Sequence, residues 1–163
     1  MLMLAEFAFL GQGHIVVMFL TFVVPVWLGW WLRVCREERL TRLCFWLLAV
    51  ALTANYFGIF LYRMSIGELT LRQALPMHLC DWVTIAVVVA LVTRNRTAYE
   101  LSYFWGLSGT LQAVITPNMQ QNFPHPRCIS FFVGHSGIVA AVLMLTLAAS
   151  LRPHWRSVPK VLL

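Results

Sequence analysis

A chain of 163 residues that is 60% hydrophobic and 11% charged, with a mean hydropathy of +0.76, carries more apolar surface than a soluble domain of that length can bury. Its formal net charge of +6 does not point to nucleic acid, because the basic residues fall between long apolar runs rather than on one face with interleaved aromatics. Cys35, Cys44, Cys80 and Cys128 form no CxxC or Cys/His spacing, so no metal site and no cofactor are expected.

The N-terminus, Met1 to Glu6, has no positive side chain, and no cleavable signal peptide is expected. Five apolar runs follow, at about 12–32, 43–62, 76–93, 99–117 and 129–149. Each approaches the roughly 20 helical residues that cross a hydrocarbon core. The fold class predicted is all-α, a polytopic transmembrane helical bundle, and residues 1–163 form one integral membrane domain with no linker.

The first run contains Pro25, expected to kink it, and ends in Trp27-Leu28-Gly29-Trp30-Trp31, an interfacial aromatic anchor. The third opens on Pro76, expected at the first helical position. In the fourth, Ser102, Gly106, Gly109 and Ala113 form a small-residue stripe; Ser130, Gly134, Gly137 and Ala141 repeat it in the fifth. These two stripes are expected to pack against each other.

Arg33, Arg36, Arg39, Arg42, Arg94, Arg96, Arg152, Arg156 and Lys160 fall on one side of the five spans, and only Arg63, Arg72 and Arg127 on the other. Lys and Arg flanking the spans are retained in the cytoplasm, so the N-terminus is expected outside, the C-terminus cytoplasmic, and the chain multi-pass in the cell membrane. A short apolar run, Val161–Leu163, opens after the basic tail, which suits either further helices beyond it or five helices as the natural extent.

With that orientation the polar residues within the spans gather in one outer layer. His78 and Asp81 lie roughly 3 to 8 Å below the outer interface and His135 roughly 9 Å, with Asn55 and Gln112 at similar depth by helical rise. His14 caps the outer end of the first helix, and Glu100 sits near the inner end of the fourth. Ionisable groups inside a span are costly and by default functional, so His78, Asp81 and His135 are the candidate acid/base or catalytic residues. Asn55 and Gln112 are candidate substrate-binding residues, joined by His125 and Arg127 of the proline-stiffened loop 117–127, which offer charge to a head group. The same residues also suit a structural reading as interhelical hydrogen-bond partners.

The blocks Leu75-Pro76-Met77-His78-Leu79-Cys80-Asp81, Glu100–Ala113, Phe123-Pro124-His125-Pro126-Arg127 and Ser130–His135 resemble the YwaF-type family of bacterial integral membrane proteins, over most of residues 10–150. That resemblance implies about seven helices. More distantly the chain is similar to a eukaryotic multi-pass, cysteine-dependent acyltransferase family acting on ether phospholipids, whose Pro-Cys-His run corresponds here to Pro76-Met77-His78. A thioether cannot be that nucleophile. Cys80 lies about 200° around a helix from His78 at 100° per residue, which argues against it as a replacement.

The leading expectation is a site for membrane lipids or a small lipid-like amphiphile, with acyl transfer or hydrolysis as its enzyme form. A small proton-coupled transporter, in which Asp81 and the histidines relay ions, is the first alternative. A haem held between His78 and His135 is a lesser one, and a structural membrane assembly protein remains the bland reading.

Overall fold

The computed structural model describes residues 7–70, 78–154 and 157–158. Arg72, Pro76, Met77, Arg156, Lys160 and the run Val161–Leu163 lie outside the described residues. Among the described residues the fold is all helical, in five rods.

Helix α1 spans Gln12–Cys35 and closes on Arg36, whose left-handed backbone (φ 54°) returns its N–H to the Leu32 carbonyl. Pro25 lies inside α1 and is buried; its missing N–H leaves the Thr21 carbonyl without its helical partner. Helix α2, Glu38–Ser65, turns Phe45, Ala49 and Leu52 inward at helical spacing. Helix α3, Leu79–Thr93, does the same with Val83, Val87, Ala90 and Leu91, and closes on a left-handed Arg94.

The fourth rod is α4 (Arg96–Trp105), a π-helical turn (Gly106–Thr110) and α5 (Leu111–Ile115), continuous in right-handed helical backbone. Asn95 caps its start by accepting from Ala98 N–H at 3.0 Å. Helix α6, Pro126–Leu147, has proline at its first position, where a missing N–H costs nothing.

Helices α1, α2 and α6 are long and apolar enough to cross a membrane, and α3 is apolar but shorter. Large apolar side chains such as Phe19, Trp27, Leu47 and Phe57 stand exposed on the outside, 58 to 62% accessible. This suits a chain whose outer solvent is lipid.

Helix α6 runs through the middle, packed against α1, α2, α3 and the fourth rod. Val139, Ala141, Val142 and Leu145 are fully buried on it. Its close approach to α2 depends on glycine: a Cβ on Gly137 would meet Leu52 Cδ2 at 2.7 Å, and one on Gly134 would meet Asn55 Nδ2 at 3.2 Å.

The glycines of the two small-residue stripes therefore do not meet each other. Gly134 and Gly137 receive α2, while Gly106 faces Ile138 and Val142 of α6 and Gly109 faces Leu79 of α3. Stripe-on-stripe packing is not required when a single glycine can receive a large side chain from its neighbour.

One end of the bundle is tied by charge. Arg94 reaches Glu38 at 2.8 Å, and Arg96 bonds the buried Glu100 at 3.2 Å. The Tyr99 hydroxyl donates to Leu151 O at 3.1 Å and meets Thr146 Oγ1 at 2.9 Å.

Candidate functional site

At the opposite end, a cavity of about 660 Å³ opens between the C-terminal half of α2, the start of α3, residues 118–121 and the first half of α6. His78, Asp81, His135, Asn55 and Arg127 line it, together with Cys80, Tyr56, Arg63 and Thr84. Leu52, Ile59, Phe60 and Ile138 supply an apolar wall.

The start of α3 sets the geometry. His78 has extended backbone (φ −92°, ψ 145°) and is the N-cap, so the helix begins at Leu79, three residues later than the predicted 76. The His78 backbone N–H donates to Asp81 Oδ2 at 3.1 Å, which places the carboxylate in the first turn, where the helix dipole favours it. The aspartate carboxylate thus bonds the histidine's backbone amide, in the manner of a capping box. It also removes the ground for setting Cys80 aside: a rotation of 100° per residue does not apply across an N-cap, and both Cys80 and His78 face the cavity.

His135 is held on α6 by its own helix. Its Nδ1 lies 2.8 Å from the Phe131 carbonyl, which can only accept, so Nδ1 carries the proton and Nε2 keeps an open lone pair in the neutral ring. The ring stacks on Phe131 at a centroid distance of 4.1 Å. Asn55 donates to the Ser130 carbonyl at 3.1 Å, crossing the α2–α6 contact that Gly134 leaves open.

Arg127 forms an ion pair with Glu68, from the segment after α2. The Arg127 Nε is buried with no partner among the described residues.

Two predicted binding residues lie elsewhere. Gln112 is exposed and does not line the cavity. The π-helical turn before it carries one more residue than an α-turn, which rotates everything beyond it by about 100° relative to a regular helix. His125 is the N-cap of α6, its Nδ1 accepting from Arg127 N–H at 3.2 Å.

His14 also stands apart, 1% exposed; it lies within the first turn of α1, whose N-cap is Gly11, rather than capping the helix. Its Nδ1 accepts from Leu10 N–H at 3.3 Å, and its Nε2 donates to the Val114 carbonyl at 2.8 Å. The ring lies among those of Phe7, Phe9 and Phe132.

Residues 9–163 match the model of the TMEM164 family, a family of membrane proteins. The chain belongs to the TMEM164 family. The YwaF-type name and the acyltransferase similarity gain no support from this match. No curated protein and no solved structure matches the chain.

Among the wall residues of this TMEM164-family chain, Tyr56, Arg63, Cys80 and Thr84 were not singled out as site residues from the sequence. Arg63 counted there only toward topology, yet its side chain lines the cavity. Cys80 shares the His-x-x-Asp stretch, and a capping reading of that spacing would have turned it toward the site. Among the described residues no three His, Cys, Asp or Glu side chains gather as a metal-ligand set.

Proposed function

We propose that this TMEM164-family protein crosses the cell membrane with all five rods, N-terminus outside and C-terminus cytoplasmic, and that its cavity opens outward to take a lipid or lipid-like amphiphile. The observation that carries this is the composition of a single cavity wall. His78, Asp81, Asn55, Arg127 and His135 supply a polar region, and Leu52, Ile59, Phe60 and Ile138 an apolar one.

The orientation is supported by the charge bias and by the ion-paired end around Glu38, Arg94 and Arg96, which lies opposite the cavity. A membrane-impermeant maleimide applied to intact cells is expected to label Cys80 and to spare Cys35 until the cells are opened. The reverse pattern would sink the orientation.

A permease would need a polar route onward. Ala49, Leu52, Ile138, Val142 and Leu145 instead belong to one buried apolar core, which favours a site with a single opening.

The enzyme form of this reading is acyl transfer with Cys80 as the attacking group. His135 Nε2 takes the thiol proton, the sulfur adds to an acyl ester carbonyl, and the alcohol leaves with that proton. The resulting thioester then passes its acyl group to a second alcohol, returning the thiol. Support comes from the two side chains lining one cavity and from the fixed tautomer of His135.

Cys80→Ser and His135→Ala are each expected to shift the membrane lipid profile of expressing cells toward that of cells lacking the protein. A hydroxylamine-sensitive acyl adduct is expected on Cys80 of the native chain by mass spectrometry. Unchanged lipids in both variants, with no adduct, would remove the enzyme form.

A further inference from the structure

The rim of the cavity carries two guanidinium groups in different states. Arg63, from the last turn of α2, lines the cavity and has no ion-pair partner among the described residues. Arg127, from the first turn of α6, lines the same cavity and is held by Glu68, although its Nε is buried and has no partner among the described residues. Glu68 is not itself part of the wall, and its side chain is 55% exposed where that of Arg127 is 28% exposed. Its backbone N–H returns to the Arg63 carbonyl at 3.0 Å, so the acid is anchored beside Arg63.

We propose that Arg63 and Arg127 form an anion receptor in the cavity mouth and that Glu68 is an exchangeable counter-ion, occupying Arg127 until an anionic ligand displaces it. The ligand chemistry that fits is a phosphate ester. Its oxygens can take paired N–H bonds from a guanidinium fork, and Arg63 can hold one oxygen while Arg127 changes partner.

Releasing Glu68 is inexpensive because the carboxylate is mostly in water, where ion pairs contribute little. The unpartnered Nε gains a bond that Glu68 does not supply. The exchange thus favours a strong anion over a neutral molecule, with Glu68 as a weak competitor for Arg127. This rests on the amphiphile reading of the same cavity.

The test uses the full chain in a zwitterion-free detergent, with retained phosphatidylglycerol counted by native mass spectrometry and glycerol 3-phosphate titrated by calorimetry in a separate arm. Glu68→Gln is expected to bind about two- to fivefold tighter than the native chain, the size that a solvent-exposed ion pair allows; Arg63→Gln and Arg127→Gln are each expected to bind about tenfold weaker.

Binding of phosphatidylglycerol alone identifies a lipid head group as the source of the phosphate, and comparable binding of glycerol 3-phosphate identifies a soluble one; either supports the receptor. A Glu68→Gln variant that binds no tighter, while its unfolding midpoint is unchanged, overturns the counter-ion role. Lipid retention indifferent to all three substitutions overturns the receptor and leaves the cavity reading standing, whereas absence of any retention removes both.

Discussion

His14→Ala is expected to destabilise the fold by about 3 kcal/mol or more, which is a large share of the stability of a small domain. The imidazole is 1% exposed and joins two parts of the chain that are 100 residues apart. Val114 lies in the last turn of α5, where a helix leaves its final carbonyls without intrahelical partners, and His14 Nε2 supplies the missing donor. Alanine would leave that buried carbonyl unsatisfied and open a void among Phe7, Phe9 and Phe132. Denaturant or thermal unfolding in micelles measures the loss. His14→Gln, which can still donate, is expected to recover part of it. A midpoint unchanged by alanine would show that neither the hydrogen bonds nor the packing of the imidazole contributes to stability.

Gly137→Val is expected to cost about 1–3 kcal/mol through overpacking at the α2–α6 contact. Leu52 is 2% exposed and belongs to the core, so its methyl at 2.7 Å from the added Cβ has little room to withdraw. Relief would come from separating α2 and α6, which would also stretch the Asn55 bond to Ser130 and reshape the cavity wall. Gly58 on the same α2 provides the contrast. Nothing lies within 4 Å of a Cβ built there, so Gly58→Ala is expected to stabilise by about 0.5–1 kcal/mol through lost backbone freedom in the unfolded chain. Equal effects at the two glycines would show that helix propensity, rather than contact, governs both.

Helices α1, α2 and α6 were legible in the sequence because long apolar runs leave no other way of satisfying their backbone in lipid. Asn55, His78, Asp81 and His135 were legible as polar groups at one depth and Arg127 as a loop cation beside them, and they do line one cavity. What depth alone does not reveal is azimuth. Gln112 shares that depth and was lost because the turn before it is π-helical, an irregularity that a uniform rotation of 100° per residue does not anticipate. His125 was lost to capping, a short-range competitor for any histidine beside a helix start. The pairing of Arg127 with Glu68 joins residues far apart in the chain, and no periodicity in either segment announces it.

The extra residue in the π-helical turn bears on more than the cavity. By turning α5, it sets the direction in which the Val114 carbonyl points, and that carbonyl is where α1 is fastened through His14. Deleting one residue between Gly106 and Thr110 would make the rod regular and swing that anchor point away from its donor. The irregular turn thus acts as a phase-setting spacer: the seating of the first helix is encoded in the fourth, about a hundred positions downstream.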